Sequence, residues 1–438
     1  MPRTFHDILS DFYAGLKDRR PIGLGVSGGS DSLGLLYGLA RIVPPTQLVV
    51  LTVDHGLRDG SADEARWVKA RCRQLGVRHE TLRWTGDRPV SGLQAAARVA
   101  RYRLMGAAAA RHGLAAVLTA HTRNDQDETR AMRRARSPAN DAPGLAGIPP
   151  ATLFDGKMWV LRPLLTLQRE DIRDFLRRAG IEWIEDPSNA DPRFERVRVR
   201  AMLAQQLPAD GDADGAQFAI ARRRLAGRAA DFIRANCSET DGLVRIVCRP
   251  GEDADVVAAA VEAVIDYCGG AGRPLDRRGK ATLARFLGGG SGGKGRQAIS
   301  VGRCLIERNG NILAVRRESR GLEALTLSPG HSAVWDGRYR VRNLSNVSPL
   351  TVFNDRAGAH LPLFRRDAER EHTCWTVENG VAGGFVQQRL AGRSSHILPV
   401  YEMPVAQSLA QLARSTGFPQ CPWTDLPEIA ALTAMQVR

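Results

Sequence analysis

The segment PIGLGVSGGSDS, which begins at Pro21, constrains the fold more than any other part of this sequence. An apolar, strand-like run enters a turn of glycines and serines, and a helix-like stretch follows immediately. Further strand-like runs, QLVVLTVD, VRHETLRW and AAVLTAH, then alternate with helical stretches. This alternation predicts an α/β fold with a doubly wound, Rossmann-like parallel sheet.

Polar residues cluster where the predicted strands end. Ser27–Ser32 follow the first strand, Asp54 and His55 follow the second, and the segment from His121 to Glu128 follows the strand that ends at Thr119. Ligands of open parallel sheets bind at the carboxyl ends of the strands. The sequence therefore predicts one site built from these segments.

The turn itself has the chemistry of a pyrophosphate cradle. Glycines let backbone N–H groups turn toward phosphate oxygens, serine hydroxyls add donors, and the helix N-terminus adds positive potential. An acid inside such a loop repels phosphate unless a divalent cation bridges them, so Asp31 predicts magnesium. The predicted phosphate-binding residues are Ser27, Gly28, Gly29, Ser30, Asp31 and Ser32.

Two other glycine patterns resemble nucleotide loops less well. Gly23, Gly25 and Gly28 spell GxGxxG, with Asp54 as a candidate ribose ligand, but the first two glycines lie within the strand. The segment GGGSGGKG at 288–295 nearly spells a Walker A loop, but it follows a helix and lacks the final Ser or Thr. We interpret this second pattern as a flexible connector.

Length, charge and cysteine usage limit the class of protein. The 438 residues carry a formal net charge of +15, which favours a polyanionic partner such as nucleic acid. Seven scattered cysteines suggest neither a disulfide framework nor a metal clamp. With no apolar run long enough to span a bilayer and no signal-peptide core at the start, we expect a cytoplasmic protein without a membrane partner.

Composition shifts divide the chain into three predicted domains. Residues 1–207 form the α/β domain, because a Gly/Asp-rich linker begins there. Residues 208–324 form a middle, mostly helical domain that ends in strand-like segments, and 325–438 form a small α+β domain. We expect the last two to hold a nucleic-acid substrate.

The string SGGSDS resembles the loop of the N-type ATP pyrophosphatases, also called the PP-loop superfamily. These enzymes cleave ATP between the α and β phosphates. The resemblance implies that an oxygen of the substrate is adenylated and that a nucleophile then displaces AMP. ATP and magnesium are the expected cofactors.

Further motifs resemble the lysidine synthetase family within this superfamily. They are VDHGLR (53–58), AARVARYR (96–103), LTAH (118–121), DQ.ET (125–129), LRPLL (161–165) and WIEDPSNAD (183–191), in the family's order. The similarity is specific over about residues 20–205 and weaker beyond. It implies a carbon–nitrogen ligase whose partners are free lysine and the tRNA(Ile) that bears a CAU anticodon, with a homodimer as the default assembly.

The same resemblance implies roles for individual residues. Asp31 through magnesium, Arg98 and His121 would stabilise charge on the α-phosphate, and Asp125 or Glu128 would assist deprotonation of the lysine amine. We expect Asp54 and His55 to contribute to the nucleotide site.

The segment RFERVRVR predicts a basic edge. In an extended chain, Arg196, Arg198 and Arg200 would share one side and bind phosphate. Asn189 in the preceding turn is a candidate for substrate contact or for shaping that loop.

The chain departs from the family at informative positions. The family pattern HHxDDQAET appears here as HTRNDQDET, with Thr122 in place of the second His and Asn124 in place of the first Asp. The helix that follows carries four arginines, Arg130, Arg133, Arg134 and Arg136. Two alternatives therefore stay open: a catalytically weak tRNA-binding descendant, and another adenylating ligase or thiolase.

Overall fold

The computed structural model describes residues 3–57, 60–85, 88–89, 91–136, 143–185, 191–193, 195–205, 213–289, 297–353, 363–366, 380–382 and 384–424. The chain forms two compact units, Met1–Arg222 together with Gln420–Arg438, and Arg223–Pro419. The three-domain division at residues 207 and 324 stays a prediction.

The first unit is an α/β layer structure. Its strands are β1 (Ile22–Gly25), β2 (Leu48–Asp54), β3 (Arg78–Arg83), β4 (Val117–Leu118), β5 (Ala151–Phe154) and β6 (Met158–Leu161). Its helices are α1 (Phe5–Ala14), α2 (Ser30–Leu39), α3 (Ser61–Gln74), α4 (Leu93–Arg111), α5 (Arg123–Arg136), α6 (Arg169–Arg178) and α7 (Glu195–Ala204). The strands of this unit follow the order β5-β6-β4-β1-β2-β3, and each neighbouring pair is parallel except β5 with β6. The predicted parallel α/β fold is confirmed.

Apolar strands and small residues bring the layers together. Strand β2 is almost fully buried, because its run of valine and leucine is covered on both faces, as in other parallel sheets. On α2, a Cβ at Gly34 would lie 2.1 Å from the side chain of Ile172, and one at Gly38 would lie 2.4 Å from Leu9. These glycines let α6 and α1 pack directly against the helix that follows the glycine-serine turn.

The extended conformation predicted for RFERVRVR is wrong. Residues Glu195–Ala204 form helix α7, which packs against α5. In a helix, residues four apart share a face, so Arg196 and Arg200 point together and Arg198 points elsewhere. The alternation of arginine and valine resembles a strand, but the described part of the chain pairs it with no strand, and the segment forms a helix instead.

The second unit contains helices and antiparallel sheets. Helix α8 (Ala213–Asn236) leads into it. Its other elements are β7 (Cys237–Thr240), β8 (Leu243–Val247), α9 (Ala254–Gly269), α10 (Arg277–Gly288), β9 (Gln297–Val301), β10 (Cys304–Asn309), β11 (Ile312–Arg317), β12 (Leu325–Leu327), β13 (Ser332–Trp335), β14 (Tyr339–Asn343), β15 (Leu350–Phe353), β16 (Leu363–Arg366), β17 (Gly380–Ala382), β18 (Phe385–Arg389), β19 (Ile397–Pro399) and α11 (Met403–Leu412).

Apart from β19, the described strands of this unit form sheets in the orders β7-β8-β11-β10-β9, β12-β15-β16 and β13-β14-β18-β17. The strand-like segments predicted after residue 296 are present as β9 to β11. The hairpin β7–β8 interrupts the stretch that we expected to be mostly helical. The glycine-rich connector predicted at 288–295 falls mainly outside the described residues, which end at Gly289 and resume at Gln297.

The described residues also include cysteines and long helices. The six cysteines in the described ranges are free thiols. Among the helices that the structure describes, none combines the length and apolar character needed to cross a bilayer.

Candidate active site at the carboxyl ends of the sheet

The glycine-serine turn lies between β1 and α2 in a conformation suited to phosphate. Gly28 has φ +91°, and a Cβ there would lie 2.6 Å from Ile184. The Ser27 N–H donates to Ser32 Oγ at 3.2 Å, and Ser32 Oγ donates to the Gly29 carbonyl at 3.0 Å. Helix α2 begins directly after Gly29. The turn therefore sits at a helix N-terminus, where free N–H groups and the helix dipole favour an anion.

A cavity of about 800 Å³ opens in front of this turn. It combines the apolar floor of the sheet with arginines and carboxylates from five helices. Its lining includes Ser27, Gly29, Ser30, Asp31, Ser32, Arg101, Tyr102, Met105, His121, Asp125, Arg169, Arg173, Trp183, Ile184, Glu185, Arg196 and Arg200. A cavity of this size and composition is suited to a nucleotide.

Asp31 lies at the N-terminal turn of α2 and faces the cavity. Arg169 Nε donates to Asp31 Oδ2 at 2.9 Å, and Ser30 Oγ donates to Asp31 Oδ1 at 3.1 Å. Burial raises the pKa of the Asp31 carboxyl, the arginine opposes this shift, and the negative charge of Asp125 adds to it. Two carboxylates thus share one wall of the cavity.

Asp125 and Glu128 project from the first turns of α5, as predicted. Asp125 Oδ1 accepts from Arg196 Nη2 at 2.7 Å and lies 3.4 Å from Arg169 Nη2. Glu128 is almost fully buried, accepts from Arg200 Nε at 2.7 Å and also accepts from Arg196 Nε. Only Asp125 of these two acids lines the cavity.

Only two of the three predicted phosphate-binding arginines, Arg196 and Arg200, line the cavity. Arg196 and Arg200 join the acid cluster, whereas Arg198 donates to the carbonyls of Pro192 and Arg193 at 2.8 and 3.0 Å. Arg198 therefore holds the backbone before α7. The helical period explains this separation, since positions 196 and 200 are four apart. Asn189 lies outside the described residues.

His121 follows β4 and faces the cavity, as predicted. Its Nδ1 lies 3.0 Å from Thr119 Oγ1. Burial holds the pKa of the imidazole well below its ordinary value, and the positive charges of Arg162 and Arg98 act in the same direction. The side chain is therefore neutral at pH 7 and offers a hydrogen bond rather than a charge.

Arg98, Asp54 and His55 lie near the cavity but are not part of its lining. The exposed Arg98 guanidinium lies 5.1 Å from the centre of the Tyr102 ring. Asp54 accepts from the Gly56 N–H at 2.9 Å and from Ser61 Oγ at 2.8 Å, which orders the turn between β2 and α3. His55 Nε2 lies 3.4 Å from Arg101. Their predicted roles toward nucleotide stay predictions.

The two departures from the family pattern have structural roles. Thr122 is fully buried, and both its N–H and its hydroxyl donate to Asp125 Oδ2, at 2.7 and 3.1 Å. Asn124 Oδ1 accepts the backbone N–H of Arg169 at 2.8 Å. The first residue therefore orients a carboxylate and the second anchors the start of α6.

Sequence reasoning assigned no site role to several residues of the cavity. Arg169, Arg101 and Trp183 all line it. Arg169 stands four residues after the LRPLL motif, at the first position of a helix, and this is the only signal that could have drawn attention to it. Its importance depends on the packing of α6 against α2, which the motif does not specify.

The donors in the cavity fit magnesium. Magnesium prefers oxygen ligands, binds through one or two carboxylates together with substrate phosphates, and keeps several waters. Asp31 and Asp125 supply two carboxylates beside the glycine-serine turn. Among the described residues, no group of three or more His, Cys, Asp or Glu side chains forms a cage that could hold a metal by itself.

The chain is similar to known proteins over most of its length. Residues 1–207 match the family model of the PP-loop domain. A tRNA(Ile)-lysidine synthase from Rhizobium meliloti is 38% identical over 377 residues, which cover 82% of this chain and 80% of that protein. One from Mesorhizobium japonicum is 39% identical over 431 residues, 91% of this chain and 93% of that protein. A solved structure of the U34-tRNA thiolase NcsA from Methanococcus maripaludis covers 50% of this chain and 78% of its own, with a TM-score of 0.41 and 16% identity.

Proposed function

The chain belongs to the family of tRNA(Ile)-lysidine synthases, and we propose that it uses ATP to join lysine to the 2-position of the wobble cytidine in the CAU anticodon of tRNA(Ile). The reaction releases AMP and pyrophosphate and changes codon reading from AUG to AUA. The observation that carries this proposal is the cavity itself, in which the glycine-serine turn faces Asp31, Asp125 and a group of arginines.

In the first step, the cytidine 2-carbonyl oxygen attacks the α-phosphate and the bond to the β-phosphate breaks. The free backbone N–H groups at the start of α2 and the hydroxyl of Ser27 hold the departing pyrophosphate. Ser30 and Ser32 add their hydroxyls when these turn away from Asp31 and the Gly29 carbonyl. Arg196 and Arg200, which line the same cavity, add positive charge. Magnesium held by Asp31 and Asp125 would supply further charge to the phosphates. The neutral His121 donates or accepts one hydrogen bond.

In the second step, the lysine amine attacks C2 of the cytidine and AMP leaves with the carbonyl oxygen. The amine must lose a proton to become a nucleophile. Asp125 is the acid of α5 that faces the cavity, so we assign the proton acceptor to it rather than to Glu128. The buried Glu128 instead keeps Arg196 and Arg200 in place.

The alternative of a catalytically weak descendant loses its main support. Thr122 and Asn124 replace family residues, but both make well-formed hydrogen bonds that order the site. A different adenylating ligase is disfavoured by identity of 38–39% to tRNA(Ile)-lysidine synthases over most of the chain. We place the reaction in the cytoplasm, and assembly as a homodimer stays a prediction.

The test is pyrophosphate release by the purified chain with ATP and magnesium, with and without tRNA(Ile) that bears CAU, and with and without lysine. We expect pyrophosphate release to require the tRNA. We expect lysine incorporation to require both ATP and the tRNA. A tRNA with a CAU anticodon for methionine is the matched control and should give little product. Binding of tRNA without pyrophosphate would support the inactive descendant, and release without tRNA would overturn the substrate assignment.

A further inference from the structure

Arg169 occupies an unusual position in the cavity, because its guanidinium lies between two carboxylates of different helices. Its Nε is 2.9 Å from Asp31 Oδ2 and its Nη2 is 3.4 Å from Asp125 Oδ1. Its Nη1 is 4.0 Å from Glu128 Oε1. Only 17% of the side chain is exposed. One cation of the chain thus contacts the same two acids that suit a divalent metal.

The backbone of Arg169 is fixed from two sides. Asn124 accepts its N–H at 2.8 Å, so the first turn of α6 is attached to the start of α5. One turn further along α6, Ile172 fits into the space left by Gly34 on α2. Asp31 belongs to the first turn of that same helix. The backbone of Arg169 is therefore held in place, and only its side chain is able to move relative to the two carboxylates.

The charges around Arg169 are balanced within the chain. Asp31, Asp125 and Glu128 form ion pairs with three arginines. These are Arg169, Arg196 and Arg200. Position 124, where the family pattern has an acid, is an uncharged Asn here, so it adds no fourth negative charge. A divalent cation that joins this group adds two charges to a neutral cluster.

We propose that Arg169 and the divalent cation compete for Asp31 and Asp125, so that magnesium binds with ATP only when the guanidinium leaves Asp31. Magnesium takes its oxygen ligands at about 2.1 Å. A cation at that distance from Asp31 Oδ2 would lie close to the guanidinium that hydrogen-bonds the same oxygen, and like charges at such separation repel. The proposal rests on the proposed function for the identity of the nucleotide.

This competition makes Arg169 a positioning residue that controls when the divalent cation binds. Without ATP, it keeps metal affinity low and holds the two carboxylates at a fixed separation. When the triphosphate arrives, its negative charge draws the divalent cation to the carboxylates, and the released guanidinium remains beside the phosphates. Loading of metal and nucleotide is thereby coupled, which limits unproductive binding of metal alone.

The experiment measures binding of Mn²⁺ as the probe, without nucleotide or tRNA, by the electron paramagnetic resonance signal of the free ion. We expect Arg169→Gln and the apolar Arg169→Met to bind Mn²⁺ about tenfold more tightly than the unaltered chain. Arg169→Lys, which keeps the charge, should stay within about threefold. Arg177→Gln is the matched control on the same helix, since Arg177 pairs with Glu170 and Asp174 away from the cavity.

Two further outcomes decide the interpretation. The gain in affinity should disappear in the double variant Arg169→Gln with Asp31→Asn, which locates the metal at this carboxylate. Unchanged or weaker Mn²⁺ binding in folded Arg169→Gln and Arg169→Met, or a gain that survives Asp31→Asn, overturns the inference. Because these measurements use no tRNA or lysine, they are separate from the pyrophosphate assay, whose failure would instead overturn the proposed function.

Discussion

Two groups of arginines and acids, one in each unit, differ in a way that separates function from stability. In the first unit, three arginines that line a cavity meet three carboxylates, two of which line it as well. In the second unit, Arg303, Arg317 and Arg338 all pair with the single carboxylate of Asp336. The first group is partly exposed and faces space for a ligand, whereas the side chains of Arg317, Arg338 and Asp336 are 1–3% exposed.

Aromatic rings also contact the buried arginines of the second group, which Arg389 joins because it shares the Tyr339 ring with Arg338. Arg338 lies 5.4 Å from the centres of the Trp335 and Tyr339 rings, and Arg389 lies 4.4 and 4.6 Å from those of Tyr267 and Tyr339. Such contacts stabilise a desolvated cation. Arg338 and Arg389 are only 1% and 4% exposed, so little of their surface can meet a substrate. The comparison teaches that the setting of an arginine cluster, rather than its number of ion pairs, indicates its role.

The largest effect is expected at Asp336, where Asn keeps the size of the side chain and suits the φ of +52° but removes the charge. Three arginines would then lose a buried partner, and we expect the second unit to lose about 3–5 kcal/mol of stability. Urea denaturation combined with hydrogen exchange at β13 and β14 measures this. The matched control is Asp276→Asn, an exposed N-cap of α10, which should change stability little. Equal effects at both positions would contradict the comparison.

In the first unit, by contrast, we expect a substitution in the arginine cluster to affect activity more than stability. Arg196→Gln removes a donor that faces the cavity, and we expect pyrophosphate release to fall about 100-fold. Stability should fall by only about 1 kcal/mol, because the Arg196 side chain is 41% exposed and the buried Glu128 keeps Arg200. Arg198→Gln is the control from the other face of α7. If Arg196→Gln lowers the free energy of unfolding by more than it raises the activation free energy of pyrophosphate release, the two clusters would both serve mainly stability.

A smaller effect is expected at the glycine-serine turn. Gly28→Ala places a Cβ at φ +91° and 2.6 Å from Ile184, which costs about 1–2 kcal/mol in the backbone alone. Displacement of the turn should weaken ATP binding at least about tenfold, measured by calorimetry. Gly227→Ala within α8, where nothing lies within 4 Å, should instead stabilise by up to about 1 kcal/mol. Unchanged ATP affinity would show that the turn does not contact phosphate.

The first unit should also lose stability as the pH falls. Burial lowers the pKa of His79 to about 4, and Lys69 acts in the same direction. The imidazole of His79 binds a proton near pH 6.5 in the unfolded chain but stays neutral in the folded chain until about pH 4. The stability that this difference contributes is therefore fully present above pH 6.5 and is lost as the pH falls toward about 4. Midpoints of thermal unfolding between pH 7.5 and 4.5 measure the slope. His79→Gln should flatten it, and an identical slope in the variant would refute the assignment.

The smallest effect is expected for Asn124→Asp. The hydrogen bond from the Arg169 N–H needs only an acceptor, and a carboxylate oxygen supplies one as well as the amide does. We expect pyrophosphate release to change by less than about threefold. A gain of tenfold or more would show that the charge missing at this position limits the reaction. Asn124→Leu, which removes the acceptor, is the control that should disturb α6.

Much of the first unit was predictable because its signals are local. The strand, glycine-serine turn and helix follow one another within twelve residues, and each element uses the backbone freedom of its own residues. The same applies to Asp125 and Glu128, which lie at the beginning of a helix whose start is set by Thr122. Helix α7 was not predictable from alternation alone, because arginine and valine at period two suit a strand equally well.

The arginine cluster of the second unit had no signal at all. Arg303, Arg317, Arg338 and Arg389 stand far apart in a chain that has 62 lysines and arginines. Nothing in their neighbours distinguishes a buried guanidinium from an exposed one. The distinction depends on which strands pair and which aromatic rings come to lie beside them.

The sequence by itself determined the α/β class, the glycine-serine turn and the edge of the sheet at which the cavity lies, since these follow from residues close together along the chain. Tertiary structure alone decided which arginines face the cavity and which are buried. Arg169 meets Asp31 because α6 packs against α2, and Arg196 meets Glu128 because α7 packs against α5. Ion pairs between distant residues depend on the packing of whole elements, and no local pattern encodes that packing.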